Sequence, residues 1–219
     1  SRVRQTDLVD ENILNTPIGV IGAGGIGSFT TLALAKCGFN TISVVDYDTI
    51  EEHNIANQFY PIHTLGKKKV DVLKEMVQQF ADITITTHTG EFSHEADDGL
   101  MQGIIISAVD SMETRKEIYE LAKTKDRVIA LIDGRMGGNQ LEVYTCKMRA
   151  RGDKTAYAKT LYRDSDTANI RCTERAVIYN VLTIASWIVN QCRLVLSAKA
   201  YYRKMILHME TMQVITTNA

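Results

Sequence analysis

Ile18-Gly19-Val20-Ile21-Gly22-Ala23-Gly24-Gly25-Ile26-Gly27 is a short apolar run that breaks into a string of glycines. From Ser28 to Lys36 the apolar residues then recur at helical spacing, up to Cys37 and Gly38. The order is strand, tight turn, helix. Beyond Gly38 the β-branched run Thr41-Ile42-Ser43-Val44-Val45 delivers Asp46 at its carboxyl end, which completes a βαβ unit and makes the first two strands parallel neighbours. Gly22, Gly24, Gly25 and Gly27 are candidate nucleotide-binding residues. Gly22 permits the bend, Gly24 lets the backbone approach a ligand, Gly27 lets the helix pack on the strand, and the helix N-terminus favours phosphate. Asp46 stands where a carboxylate can accept hydrogen bonds from both ribose hydroxyls of an adenine nucleotide, or where a plain loop carboxylate would sit. This motif by itself favours a nicotinamide or flavin dinucleotide, the commoner users of the fingerprint, over ATP.

Working outward, the pattern predicts a helix from about Lys67 to Phe80, a strand at Ile83 to Thr87 and a buried strand at Ile104 to Ala108. A helix near Glu113 to Lys123 and a strand at Val128 to Ile132 follow. Such βα alternation implies a doubly wound sheet. Gln140 to Cys146 reads as a strand with no long crossover behind it, and Lys147 to Arg171 as a long polar loop, functional or mobile. Glu174 to Ala198 carries the longest helical signal, and a last strand lies near Gln213 to Thr216. The expected fold is α/β: a Rossmann-like, doubly wound, mostly parallel sheet with C-terminal antiparallel strands and a long helix. Two prolines, no low-complexity linker and no repeat make residues 1–219 one domain.

With 219 residues, 45% hydrophobic and 23% charged content and a formal charge of -1, nothing in the bulk chemistry draws the chain toward nucleic acid or an anionic membrane. Any anion site must be local. No apolar stretch is long enough to span a bilayer, and Ser1-Arg2-Val3-Arg4-Gln5 lacks the apolar core of a secretory signal, so a cytoplasmic protein is expected. Cys37, Cys146, Cys172 and Cys192 lie far apart, which argues against structural zinc and a disulfide framework.

The string Asp46-Tyr47-Asp48-Thr49-Ile50-Glu51-Glu52-His53-Asn54-Ile55-Ala56-Asn57-Gln58-Phe59-Tyr60 resembles the signature of the ThiF/MoeB/HesA family of ubiquitin-activating-enzyme-like adenylyltransferases. The resemblance continues in order. Leu65-Gly66-Lys67-Lys68-Lys69-Val70 is similar to the family's glycine and phosphate-binding lysine, and it singles out Lys69 from what alone reads as a solvated basic run. Ser107-Ala108-Val109-Asp110-Ser111-Met112-Glu113-Thr114-Arg115 matches the family's magnesium-binding aspartate and nearby arginine, although Asp110 by its chemistry equally suits a helix cap. Arg2-Val3-Arg4-Gln5 resembles the element whose second arginine reaches across a dimer to the partner's nucleotide.

The resemblance implies an ATP- and Mg2+-dependent homodimeric adenylyltransferase that activates a carboxylate as the acyl adenylate. The acceptor would be the C-terminal glycine of a ubiquitin-like or sulfur-carrier-like protein, or a small molecule. Asp46 would fix the ribose, Asn54 and Gln58 would be polar contacts close to the phosphates, Asp48, Asn57, Lys69 and Arg115 would also belong to the nucleotide site, and Arg4, Lys69 and Asp110 would serve catalysis. Asn57 stands where most members carry an arginine that helps hold the triphosphate, so this chain either loses one phosphate contact or supplies it from Arg4, Arg115, Arg135 or the polar loop. The paired cysteines of zinc-holding members are absent. Cys172, between Arg171 and Arg175 and just ahead of the long helix, is a candidate thiol. Two other readings remain open at this point: an oxidoreductase using NAD(P) or FAD, and a non-catalytic binding subunit of a heterodimeric activating enzyme.

Overall fold

The computed structural model describes residues 8–93, 98–162 and 177–219. In chain order its elements are β1 (Ile18–Ile21), α1 (Gly25–Cys37), β2 (Ile42–Asp46), α2 (Lys69–Ala81), β3 (Thr86–Thr89), β4 (Gly103–Ser107) and α3 (Met112–Thr124). There follow β5 (Val128–Gly137), β6 (Gln140–Lys147), α4 (Arg151–Ala158), α5 (Ile178–Leu196), β7 (Tyr202–His208) and β8 (Gln213–Asn218). The strands form one sheet in the order β3-β2-β1-β4-β5-β6-β7-β8, parallel from β3 to β5 and antiparallel from β5 to β8.

Successive side chains of a strand point to opposite faces, and here both faces are covered. Val20, Val44, Ile104, Ile106, Ala130 and Ile132 pack into a core shared with α1, α2 and α5. Their neighbours Ile21, Val45, Ile105 and Leu131 pack with Ile118, Tyr119 and Ala122 of α3 and Tyr157 of α4. That explains why β4, Gly-Ile-Ile-Ile-Ser, reads as continuously apolar rather than alternating. The chain runs from β1 outward through β2 to β3, then returns to the other side of β1 as β4. The order therefore reverses at the carboxyl ends of β1 and β4, where open α/β sheets leave a crevice for ligands.

Helix ends follow local chemistry. Gly38 closes α1 with φ 104°, its N–H reaching the carbonyls of Leu34 and Ala35. Because an L side chain pays for the left-handed region, Gly38→Ala is expected to lower stability by ~1–2 kcal/mol, read as a lower denaturant midpoint at unchanged slope. Ser111 caps α3 by accepting the N–H of Thr114 at 3.2 Å. The cap is thus Ser111 and not Asp110.

Several expectations need correcting. β3 pairs only from Thr86, although Ile83 and Ile85 before it are buried in the core. β5 does not stop at Ile132. Asp133, Gly134 and Arg135 continue the strand because β6 folds back on them, Asp133 opposite Tyr144. The first part of the predicted polar loop is the helix α4, and residues 163–171 of it lie outside the described residues. The sequence carries no clear signal for β7: its Tyr-Arg-Lys-Met-Ile-Leu-His alternates only weakly, and pairing with β6 and β8 is what makes it a strand. Among the described residues no helix is long and apolar enough to cross a membrane.

Candidate nucleotide site

The glycine turn leaves β1 at Gly22, whose φ is 95°. A Cβ there would meet the Ala108 carbonyl oxygen at 2.6 Å, and one at Gly27 would meet the Gly22 carbonyl oxygen at 1.8 Å. These two glycines are therefore required by contact with β4's exit and by contact within the turn itself. Gly24 differs: a Cβ there would find only the Gln58 amide nitrogen, at 3.9 Å. Its backbone faces open space at the start of α1, where no side chain caps the helix. Unsatisfied N–H groups at a helix start and an open approach are the two things a phosphate needs.

Asp46 holds this turn in place. One carboxylate oxygen accepts the Ala23 N–H at 2.6 Å and the other accepts the Asp48 N–H at 2.7 Å. The carboxylate thus stitches the glycine turn to the loop after β2. Each oxygen can still accept a second bond, so a diol can be read by a group whose position is already fixed.

The segment from Asn54 to Tyr60 straps the same turn from outside. Buried Asn54 accepts the Glu51 N–H at 2.9 Å and so shapes its own loop. The Asn57 carbonyl oxygen would lie 3.1 Å from a Cβ on Gly25. The Phe59 N–H donates to the Ser28 hydroxyl at 3.1 Å, and the buried Tyr60 hydroxyl donates to the Ala23 carbonyl at 2.6 Å. Gln58 Oε1 is shielded from solvent without a hydrogen-bond partner, an acceptor left over beside the glycine turn. Burial, with the Asp46 and Asp48 carboxylates adding to it, raises the Tyr60 phenol well above its ordinary range, so it stays a donor. Tyr60→Phe leaves the Ala23 carbonyl without that donor and is expected to destabilise by ~1–3 kcal/mol, measured by urea unfolding.

Lys69 reaches the site through backbone pairing. Ile50 and Lys67 share a hydrogen bond, Thr49 and Lys68 form an isolated bridge, and the Lys69 N–H donates to the Asp48 carbonyl at 3.1 Å. That places Lys69 Nζ 2.6 Å from an Asp48 carboxylate oxygen, with the lysine side chain 6% exposed and the aspartate 44%. A buried cation is pinned under an accessible anion. Neither Lys67 nor Lys68 shares that position: Lys67 is exposed and Lys68 Nζ donates to the Tyr47 carbonyl.

Asp110 is exposed in the turn after β4, on the opposite side of the crevice. Tyr47 follows Asp46 at the end of β2 and is exposed. Its phenol is raised first by Asp48, then by burial, Asp110, Glu91 and Asp46, so these carboxylates share one mouth.

Arg115 is placed differently from the expectation of a phosphate contact. It is buried, with Nε on Asp133 at 3.0 Å and the guanidinium also donating to the carbonyls of Gly134 at 3.2 Å and Ser111 at 3.5 Å. Arg135 donates to the other Asp133 oxygen at 2.7 Å and to Thr160, stacked 4.4 Å from the Tyr144 ring centre. The Tyr157 hydroxyl donates to Asp133 at 2.9 Å. Asp133, fully buried, is therefore a hub between Arg115 and Arg135, and no motif in the sequence marks it. An acidic residue just past the expected end of a strand carries no burial signal. Arg4 and Cys172 lie outside the described residues.

The sequence profile of the ThiF family matches residues 4–217. The NEDD8-activating enzyme E1 catalytic subunit of Caenorhabditis elegans is 34% identical over 134 residues, covering 60% of this chain and 31% of that protein. The SUMO-activating enzyme subunit uba-2 of the same organism is 29% identical over 178 residues, covering 74% and 30%. This chain thus spans about a third of the length of these relatives. Among solved structures, E. coli MccB with AMPCPP and MccA superposes with a TM-score of 0.76 at 13% identity, over 95% of this chain and 65% of that one. At that identity the likeness is one of fold.

Proposed function

The chain belongs to the ThiF family, and from that premise we propose that it is an adenylyltransferase that activates a carboxylate with ATP. The observation that carries the reading is the pairing of an open, uncapped glycine turn with the buried Lys69 held against Asp48. A dinucleotide oxidoreductase needs the turn but has no use for a buried cation beside it.

The residues present suit ATP and magnesium. Asp46 offers the remaining lone pairs of a fixed carboxylate to the ribose, and Gly24 and Gly25 at the head of α1 offer N–H groups to phosphate. Lys69 supplies a positive charge with little freedom to lose. Asp110 is the carboxylate that would hold Mg2+, an ion usually bound by one or two carboxylates plus phosphate oxygens and water. When bound there, the ion would neutralise charge on the triphosphate.

In the proposed reaction a carboxylate oxygen of the acceptor attacks the α-phosphorus. A new O–P bond forms, the bond from that phosphorus to the bridging oxygen breaks, and pyrophosphate leaves with its electron pair. The acceptor is already ionised, so no general base is needed. Catalysis then rests on alignment and on charge placed beforehand, the tasks of Asp46, the glycine turn and Lys69. Arg4 would add charge from the partner subunit of a homodimer, and the acceptor would be the C-terminal glycine of a ubiquitin-like or sulfur-carrier-like protein. Support for that acceptor comes from the naming of the relatives as NEDD8- and SUMO-activating enzymes and of MccA as a companion of MccB.

The test is thermal shift with ATP and Mg2+, with NAD as control, on the wild type and Asp110→Ala. Ligand at ~100 times its dissociation constant stabilises the wild type by ~2.7 kcal/mol. The magnesium-dependent part should disappear in Asp110→Ala. Stabilisation by NAD and none by ATP overturns the reading.

A further inference from the structure

The segment 147–159 carries Lys147, Arg149, Arg151, Lys154 and Lys159 against a single acid, Asp153. In the fold that acid turns inward. Asp153 is 1% exposed and its carboxylate is consumed by Arg203 Nε at 2.7 Å, the Tyr201 hydroxyl and the Lys147 N–H. The charges that the segment presents to solvent are therefore all positive, on a protein whose net charge is -1.

These cations converge. Arg151, Lys154 and Lys159 recur at three- and five-residue intervals along α4 and its exit, and with Lys123 of α3 they line a shallow groove of about 540 Å³. Tyr119 forms its floor and ties the two helices together, its hydroxyl donating to the Lys154 carbonyl at 2.9 Å and its ring 5.0 Å from that of Tyr157. Lys123 is neutralised by Glu120 at 2.6 Å. Among the described residues, Arg151, Lys154 and Lys159 form no ion pair. Three like charges around one concavity repel one another, an arrangement that an anionic ligand would relieve.

We propose that this groove docks an acidic stretch of a protein partner. The eight residues of α4 span about 12 Å, the reach of about four residues of extended chain. Two or three carboxylates in such a stretch match the three cations, which have no ion-pair partner among the described residues. Nucleic acid fits less well, because single strands are held by open aromatic faces, and Tyr119 is 3% exposed with Lys123 over its ring at 4.7 Å. The proposal does not depend on the adenylation reading, since none of these residues belongs to the nucleotide site.

The probe is a fluorescently labelled ten-residue glutamate peptide, followed by anisotropy at ~0.15 M salt, where charges more than ~8 Å apart are screened. Lys154→Glu with Lys159→Glu should weaken binding at least ~10-fold, because like charges then face each other. Lys74→Glu with Lys199→Glu, which changes net charge equally at exposed sites elsewhere, should weaken it less than ~3-fold. Lys154→Gln with Lys159→Gln is the milder variant should reversal perturb the fold, and should lower affinity with the thermal midpoint unchanged. Equal losses from the two charge-reversed pairs, no binding by the wild type, or binding of oligothymidylate in place of the peptide would each overturn the proposal.

Discussion

Asp133→Ala is expected to destabilise the protein by ~3–5 kcal/mol, because it leaves two buried guanidinium groups, Arg115 and Arg135, without their counter-ion. The carboxylate is fully buried, so water cannot replace it. Burial by itself would raise the Asp133 carboxyl, but Arg115 and then Arg135 more than offset this and hold it below the usual range. A carboxyl lowered in the folded state contributes stability that is present above its unfolded value of ~3.9 and is lost as pH falls through the folded value. The difference in unfolding free energy between wild type and Asp133→Asn should therefore be flat from neutral pH to about pH 5 and shrink below about pH 4. Denaturant unfolding across that range checks both statements. A loss under ~1 kcal/mol at neutral pH would mean that the arginines find other acceptors and that Asp133 is no hub.

Lys69→Ala is expected to act on function more than on folding. Its partner Asp48 is 44% exposed and can be hydrated once the lysine is gone. Loss of a charged donor to phosphate should weaken ATP by ~10–100-fold in a titration. With an acceptor protein supplied, pyrophosphate exchange into ATP should fall by ~10²–10³-fold, as when a fixed stabilising group is removed from a transition state. Unchanged binding and exchange would remove Lys69 from the site and leave the Lys69 and Asp48 pair as a brace between α2 and the loop after β2.

The candidate site divides into what spacing reveals and what it hides. Gly22, Gly27 and Asp46 are legible because their demands are local: a positive φ, a close backbone contact, and a carboxylate at the end of a strand. Tyr60 and Ser28 are less so. Both secure the glycine turn across 37 and 31 residues of chain, and no periodicity signals such a bond. Asn54 and Arg115 show the reverse case. Each has the chemistry of a phosphate ligand, yet each is turned to the protein's own backbone or to Asp133. The type of a side chain states what it can bind, and only its surroundings decide what it does bind.

From the order of residues alone came the βαβ start, the parallel alternation and the family resemblance, because each rests on interactions within a few residues or on hydrophobic burial that must repeat along an element. Tertiary structure decided the rest. β5 runs on past Ile132 because β6 returns beside it, and β7 is a strand because it has strands to pair with. Part of a polar loop becomes α4 because Tyr157 is buried beside Tyr119 and Asp153 finds Arg203. In each case the deciding partner is another element, next along a hairpin or far along the chain, and its free energy exists only once the fold has brought the two together.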